Sequence, residues 1–257
     1  MRNQVVVITG ASSGIGAAIA REVAARGAVT VLVARREAAL REVAESISVG
    51  RNFGSAGATT RVVAADLTVR ADVERVVADV LARFGRIDVW INNVGRGITL
   101  PPSQLTDADV DEMVRANVKP ALYGMQAVLP HFQSRGAGHI INISSILGRH
   151  PAPIARSAYN GAKHFLNALT ANFRAEVQQT HPGIQVSLVS PGVVATDFGA
   201  NAMHGGPLSK DLPDPQPPEE VAVVVADVIE SRRPDVYTRK GAKAYVDGYL
   251  TGLGEDP

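Results

Sequence analysis

The chain has 257 residues, with 26 lysine and arginine residues against 25 aspartate and glutamate residues, and no cysteine. A chain of this length can bury a large core within one domain. The balanced charge provides no basic field for a nucleic acid, and without cysteine there is no disulfide. We expect a cytoplasmic protein with no nucleic-acid partner and no membrane association, since the apolar runs are too short for a signal peptide or a membrane span.

The first predicted unit is a strand, a glycine turn and a helix. Residues 5–8 form a β-branched run typical of a strand buried on both faces, and Gly10-Ala-Ser-Ser-Gly14-Ile-Gly16 leads into an alanine-rich helical pattern. Glycines at such a turn let the backbone approach a pyrophosphate, whose charge meets the N–H groups of the new helix. The alternative is that they serve only close strand–helix packing.

The second predicted strand, residues 29–34, bears on cofactor choice. NAD sites usually place an acid about 20 residues beyond the glycines. This sequence has Ala34 there, followed by Arg35 and Arg36. Because guanidinium binds phosphate with paired hydrogen bonds, the pattern predicts NADP(H) rather than NAD(H). Alternatively, the arginines only solvate the start of a helix over residues 37–47.

The middle of the chain alternates strands with helices. Glycine-rich residues 48–59 predict an exposed loop. Asp66, after the third strand, either accepts from an adenine amino group or caps a turn. The alternation predicts parallel βαβ units with ligands at the carboxyl ends of the strands. The further predicted strands cover residues 61–65, 88–91, 140–145, 185–189 and 235–238, and a helix covers 71–84.

Three later segments carry specific expectations. A helix from residue 107 to 131 contains Pro120, which predicts a kink beside Asn117 that frees main-chain groups to hold water. Residues 197–217 have no period, and a loop of this length predicts a substrate-binding lid. After a helix over 219–231, the basic tail from Arg239 is most simply a solvated face.

Tyr159 and Lys163 stand four residues apart on a predicted helix, so they share one face. A phenol has a pKa of ~10, and one charge at ~4 Å with an effective dielectric of ~20 contributes roughly 4 kcal/mol, or about 3 pKa units. The pair therefore predicts a phenol near neutrality that acts as a general acid and base. The alternative is an ordinary surface helix.

Taken together, these motifs resemble the short-chain dehydrogenase/reductases, in the single-domain subclass of about this length. The resemblance covers residues 5–196, more loosely the rest. It rests on Thr9-Gly10-xxx-Gly14-Ile15-Gly16, Asn92-Asn93-Val94-Gly95, Asn117, Ser144-Ser145, Tyr159-xxx-Lys163 and Pro191-Gly192-xxx-Thr196.

The family implies an α/β, Rossmann-type, doubly wound single domain over residues 1–257, with a seven-stranded parallel sheet and helices on both faces. It further implies a homodimer or homotetramer that transfers hydride reversibly between a nicotinamide dinucleotide, here NADP(H) from the arginines after the second strand, and a ketone or secondary alcohol.

The resemblance also assigns roles by position. Tyr159 would protonate the ketone oxygen, Lys163 would lower the pKa of that phenol and bind the nicotinamide ribose, Ser145 would bind the substrate oxygen, and Asn117 would hold a relay water. The candidate cofactor-binding residues are Gly10, Ser12, Ser13, Gly14, Ile15, Gly16, Arg35, Arg36, Asp66, Leu67, Asn92, Gly95, Tyr159, Lys163, Pro191, Val194 and Thr196.

Two positions depart from the family pattern. Val94 replaces the usual alanine, and Ser145 precedes Tyr159 by fourteen residues, one more than expected. Ser144 is therefore an alternative, although Ser145-Ile-Leu-Gly148 matches the family's serine-x-x-glycine turn.

Other functions have less support. The chain has no HExxH helix and no cysteine ligands, so a metal site is not expected, and a hydrolase is not expected either. A non-catalytic NADP(H) sensor or scaffold, or an NAD-dependent alcohol dehydrogenase, remains as an alternative. The substrate pocket is expected to be fairly apolar, from Pro151, Ile154, Phe198, Met203 and Leu208, with His150 and His204 as donors or plain surface residues.

Overall fold

A seven-stranded, wholly parallel sheet forms the centre of the protein, as the sequence predicts. The computed structural model describes residues 1–49 and 59–254. The strand order is β3-β2-β1-β4-β5-β6-β7. The strands are β1 (Val5–Thr9), β2 (Val29–Ala34), β3 (Thr60–Ala64), β4 (Val89–Asn92), β5 (Gly138–Ile143), β6 (Ile184–Ser190) and β7 (Asp235–Tyr237).

Among the described residues, eight α-helices connect and cover the strands. They are α1 (Gly14–Ala25), α2 (Glu37–Val49), α3 (Arg70–Phe84), α4 (Asp107–Asn117), α5 (Lys119–Arg135), α6 (Ser157–Thr180), α7 (Pro218–Ser231) and α8 (Ala242–Leu250). Within the described part of the chain, no helix combines the length and the apolar character needed to cross a membrane.

The two faces of the sheet bury separate apolar layers because successive strand residues point to opposite sides. On β1, Val6 and Ile8 pack with α1, α2 and α7. Val5 and Val7 pack with α3, α5 and α6. Both layers cover the sheet, which explains why its central strands are continuous apolar runs rather than alternating ones.

The strand order reverses direction at β1, which pairs with β2 on one side and with β4 on the other. In an open parallel sheet, such a reversal leaves a crevice outside the carboxyl ends of the strands. The candidate site is therefore expected beside the turns that follow β1 and β4.

The predicted kink at Pro120 is a complete break. Helix α4 ends at Asn117, and α5 begins at Lys119 with Pro120 in its first turn. Proline has no N–H to donate to the carbonyl of Ala116 and its ring clashes with that carbonyl, so the regular helix is interrupted beside it. The predicted helix from 107 to 131 is thus two helices.

The basic tail differs from the prediction of a purely solvated face. It contains α8, on which Ala242 and Val246 are buried. His150 packs against the rings of Tyr245 and Tyr249, with centroid distances of 4.4 and 4.5 Å. Lys240 and Lys243 make this segment look solvated in the sequence, but Ala242 and Val246, four residues apart, share one face of α8 and pack against the protein. The predicted loop at 48–59 lies almost entirely outside the described residues.

Candidate active site

A cleft of about 1160 Å³ opens at the carboxyl ends of the central strands. The glycine turn and the end of β2 line one side, and the start of α6 and the segment after β6 line the other. Of the candidate residues, it contains Gly10, Ser12, Ser13, Gly14, Ile15, Arg35, Arg36, Asp66, Leu67, Gly95, Ser145, Tyr159, Lys163, Pro191, Val194 and Thr196. Gly16, Asn92 and Asn117 do not line it.

The glycine turn fits the approach of a phosphate. Gly10 and Gly14 have φ values of 66° and 52°, which favour glycine. The N-cap residue of α1, Ser13, makes no side-chain capping hydrogen bond, which leaves the first N–H groups without their usual acceptor. An anion at this helix end would fill that role.

Gly16 serves packing rather than the cleft. A Cβ on this residue would lie 2.2 Å from the Gly10 carbonyl oxygen and 2.6 Å from Nδ2 of Asn93. Helix α1 can therefore lie this close to the end of β1 only because residue 16 has no side chain. The packing interpretation therefore holds at Gly16, whereas pyrophosphate binding at Gly10 and Gly14 stays a prediction.

The end of β2 presents a cation to the same turn. Nη2 of Arg36 lies 3.3 Å from the hydroxyl oxygens of both Ser12 and Ser13. NAD sites usually have a carboxylate at the position of Ala34, and a carboxylate there would repel a 2′-phosphate. The donor set of Arg35, Arg36 and two serines fits a phosphate monoester at this position.

Asp66 caps a turn, which is one of the two roles predicted for it. Its Oδ1 accepts from the backbone N–H of Thr68 at 3.0 Å and from the Thr68 hydroxyl at 2.8 Å. Asp66 and Leu67 line the cleft, and the turn uses only the Oδ1 atom of the Asp66 carboxylate.

Asn92 is expected from the sequence to face the cleft, but its side chain does not line it. Its Oδ1 accepts from Nε1 of Trp90 at 2.7 Å, and its Nδ2 donates to Oδ1 of Asn142 at 2.8 Å. Asn93 lines the cleft instead, and its Nδ2 donates to the Thr9 and Gly10 carbonyls at 3.2 Å. Neighbouring residues at a strand end point to opposite sides, so only one of the two can reach the cleft.

The side chain of Asn117 holds the loop after β4. Its Oδ1 accepts from the Arg96 N–H at 3.0 Å, and its Nδ2 donates to the Arg96 carbonyl at 2.9 Å. A Cβ on Gly95 would lie 2.9 Å from this Oδ1 and 3.6 Å from Nζ of Lys163. Asn117 therefore positions the Gly95 backbone beside Lys163, and its Nδ2 also donates to the Met113 carbonyl at 3.0 Å. A relay water held through the helix of Asn117 stays a prediction.

Tyr159 and Lys163 are both buried at the floor of the cleft, 6% and 3% exposed. Burial raises the pKa of the Tyr159 phenol to about 12, although the Ser145 side chain beside it and the charge of Arg156 oppose that rise. Burial also lowers the pKa of the Lys163 ammonium to about 8. The expectation of a phenol near neutrality is thus not met in the cofactor-free protein, because four-residue spacing does not reveal desolvation.

The two candidate serines have different neighbours. The Ser144 hydroxyl donates to Oδ1 of Asn167, whose Nδ2 donates in turn to the Gly148 carbonyl at 2.8 Å. Ser145 lies beside the Tyr159 phenol and accepts from the Leu147 N–H at 3.2 Å. The geometry favours Ser145 for contact with a substrate oxygen.

Part of the predicted lid, residues 197–217, lines the cleft. The Phe198 ring lies 5.4 Å from the Tyr159 ring at 60°. Met203 forms a parallel bridge with Ile98, and Nε2 of His204 lies 2.7 Å from Oδ1 of Asp109. His204 thus fastens the segment to α4.

The expected apolar pocket is only partly present. Phe198 lines the cleft, but Pro151, Ile154, Met203 and Leu208 do not, and the Ile154 side chain is 74% exposed. The wall near Tyr159 contains Arg156 and Thr99 instead. Neither residue is among those predicted from the sequence, although Arg156 stands only three residues before Tyr159, as the N-cap of α6.

Known proteins share this sequence and geometry. The short chain dehydrogenase family model matches residues 4–205. An uncharacterized oxidoreductase of Staphylococcus epidermidis is 35% identical over 208 residues, which cover 77% of this chain and 84% of that protein.

Solved structures agree with the fold. A metagenomic short-chain oxidoreductase in complex with NADP is 33% identical, with a TM-score of 0.74 over 92% of this chain and 97% of that chain. A short chain dehydrogenase/reductase from Burkholderia phymatum in complex with NAD shares the fold at 24% identity, with a TM-score of 0.86 over 100% of this chain and 98% of that chain. The chain therefore belongs to the short-chain dehydrogenase family and is an oxidoreductase.

Proposed function

We propose that this oxidoreductase interconverts a ketone and a secondary alcohol with NADP(H), and that Tyr159 transfers the proton. The observation that carries the proposal is the buried Tyr159 phenol, with Ser145 beside it and Lys163 one turn away, on the floor of a cleft that begins at the glycine turn. Reduced nicotinamide, when bound, supplies hydride to the carbonyl carbon.

The chain's own residues supply the remaining steps. Ser145 orients the carbonyl oxygen, and the Tyr159 hydroxyl donates its proton to that oxygen as negative charge develops there. Since an alkoxide is a far stronger base than a phenolate, a phenol whose pKa is near 12 still transfers its proton downhill. Lys163 and Arg156 stabilise the tyrosinate that remains until solvent returns a proton.

The raised pKa of Tyr159 also favours one direction. Oxidation of an alcohol needs the deprotonated phenol, which is scarce at neutral pH when the pKa is about 12. Reduction begins from the protonated form. We therefore place ketone reduction first, against the alternative of an NAD-dependent alcohol dehydrogenase.

The test is NADPH consumption with a panel of ketones by the wild type and by Tyr159→Phe. The variant should lose about 10²- to 10⁴-fold in turnover while binding NADPH as tightly as the wild type. Tyr245→Phe, at a 55% exposed tyrosine of α8, is the matched control and should turn over normally. NADPH binding without turnover of any ketone or alcohol would support the sensor or scaffold alternative.

Arg36 supports NADP(H) as the cofactor, because its guanidinium lies at the serines of the glycine turn. The wild type should show a higher kcat/KM with NADPH than with NADH. Arg36→Ala should lower only the NADPH value, by about 10- to 100-fold for a lost charge-assisted contact. Arg41→Ala, on the exposed side of α2, is the control. Equal or NADH-favouring values in the wild type would contradict the cofactor assignment.

A further inference from the structure

Arg156 is a half-buried cation in the wall of the cleft, immediately before α6. One of its five N–H groups is used within the protein, since Nη1 donates to the Ile98 carbonyl at 3.2 Å. No aspartate or glutamate in the described residues, 1–49 and 59–254, pairs with this guanidinium, and burial lowers its pKa. By contrast, Arg96 at the same cleft pairs with Glu112.

Thr99 provides a second polar atom without a partner. Its Oγ1 is buried and makes no hydrogen bond to any residue that the structure describes, and Thr99 lines the cleft. A Cβ on Gly206 would lie 2.8 Å from this Oγ1 and 3.5 Å from Nη2 of Arg156. The hydroxyl and the guanidinium therefore flank the same point, and both have donors to spare.

A half-buried guanidinium that faces no carboxylate costs free energy unless a ligand supplies the opposite charge. The planar fork of arginine matches a carboxylate or a phosphate, and a threonine hydroxyl adds one more donor to such an oxyanion. The first turn of α6 contributes positive potential at the same place. These groups together describe a recognition site for an anion.

Resting on the proposed function, we propose that the substrate carries an oxyanion, a carboxylate or a phosphate ester, which Arg156 and Thr99 bind while Tyr159 faces the ketone. Arg156 and Tyr159 are one helical turn apart, so the anion lies within a few bonds of the carbonyl carbon. The Phe198 ring, which contacts the Tyr159 ring, covers the apolar stretch between them. The substrate class is a short oxo acid or a phosphorylated ketone.

The experiment compares kcat/KM for ketones matched in all but charge. One arm pairs 3-oxobutanoate, 4-oxopentanoate and 5-oxohexanoate with their methyl esters, and the other pairs hydroxyacetone phosphate with hydroxyacetone. The wild type should prefer one anion over its neutral partner by at least about thirtyfold. The arm in which this happens identifies the carboxylate or the phosphate.

Arg156→Gln should remove that preference, so that kcat/KM for the anion and for its neutral partner become equal within about threefold. Arg156→Lys should restore part of it, because the charge returns without the fork. Lys210→Gln removes one positive charge from an exposed lid residue outside the cleft and should leave the preference intact. The ratio within a pair isolates anion binding from any effect of Arg156 on the Tyr159 phenol.

Failure of this inference and failure of the proposed function are distinguishable. If neutral ketones are reduced and no anion is preferred, or if Arg156→Gln keeps the preference, ketone reduction stands and the anion site is wrong. If no compound consumes NADPH, the proposed function is wrong. Calorimetry of the same anions then decides the site, since a tenfold loss of affinity in Arg156→Gln supports it and equal affinities overturn it.

Discussion

Nζ of Lys163 lies 5.7 Å from the centre of the Tyr159 ring and donates its hydrogen bond to the carbonyl oxygen of Ile143 at 3.0 Å. The ammonium is thus held beneath the phenol by the end of β5 rather than by the phenol itself. It is almost fully buried, and one carbonyl replaces its water shell. The protein therefore keeps a costly charge in its core.

This burial predicts that stability rises with pH in the alkaline range. Unfolded Lys163 holds its proton up to its ordinary pKa of 10.5, whereas the folded residue releases it above about pH 8. The unfolded state binds more protons in that window, so the free energy of unfolding increases as pH rises through it. At about 1.36 kcal/mol per pH unit, we expect a gain of about 2 kcal/mol between about pH 7 and pH 9.5.

Urea unfolding of the cofactor-free protein at several pH values measures this gain. Lys163→Met should be flat over the same range and, near neutral pH, more stable than the wild type. Lys210→Met, which removes an exposed lysine, should keep the full slope. If the free energy of unfolding of the wild type stays constant or decreases between about pH 7 and pH 9.5, the buried ammonium is contradicted. Above pH 10 the raised pKa of Tyr159 acts in the opposite sense, because the folded state then holds the extra proton.

The two serines after β5 should separate turnover from stability. Ser145→Ala is expected to lower kcat by about 10²-fold, as for loss of a hydrogen bond to developing oxygen charge, with little effect on unfolding. Ser144→Ala breaks the hydrogen bond to Asn167 and should cost about 1 kcal/mol of stability while turnover persists. Steady-state kinetics and urea unfolding of both variants check this. Loss of turnover in Ser144→Ala alone would exchange the two roles.

The close approach of α1 to β1 predicts opposite effects at two helical glycines. Gly16→Ala places a Cβ 2.2 Å from the Gly10 carbonyl oxygen, so α1 must move and we expect a loss of about 1 to 3 kcal/mol. At Gly248, on α8, a Cβ meets nothing within 4 Å. Gly248→Ala should therefore stabilise the protein by about 0.5 to 1 kcal/mol. Urea unfolding measures both, and a neutral Gly16→Ala would show that the turn can relax.

The sequence predicts the elements well where the pattern is local. Apolar, β-branched runs mark the central strands because these are short, buried and bounded by turn residues, whereas β3 and β7 at the edges are only partly buried. The glycine turn and Tyr159 identify the cleft because both depend on neighbours within one turn. The side-chain directions of Asn92 and Asn93 depend on the pleat of β4 and on the hydrogen bonds of Asn92 to Trp90 and to Asn142. Asn142 is fifty residues away, so the sequence does not show which of the two asparagines faces the cleft.

Other features depend on three-dimensional surroundings. The pKa of Tyr159 follows from burial, which residue spacing does not encode. Arg156 looks like any solvated arginine until the loop after β4 and the lid enclose it. Helix α8 depends on His150, which lies far from it along the chain. Each of these three missed features is a long-range consequence of the fold.

The contact between His204 and Asp109 predicts how firmly the lid is held. Asp109 closes the capping box of α4 with Thr106 and also accepts a hydrogen bond from His204. The hydrogen bond from His204 contributes most, and those from Thr106 add to it, so that the pKa of the Asp109 carboxyl is lowered to about 2. His204→Ala should leave the carboxylate in the cap but release the segment, so trypsin should cleave after Lys210 several-fold faster than in the wild type. Thr106→Ala weakens the cap without touching His204 and should lower global stability by about 1 kcal/mol with little change in that cleavage. Timed proteolysis with identification of the cut site measures the effect. Equal cleavage rates in His204→Ala and the wild type would mean that the bridge between Met203 and Ile98 holds the segment by itself.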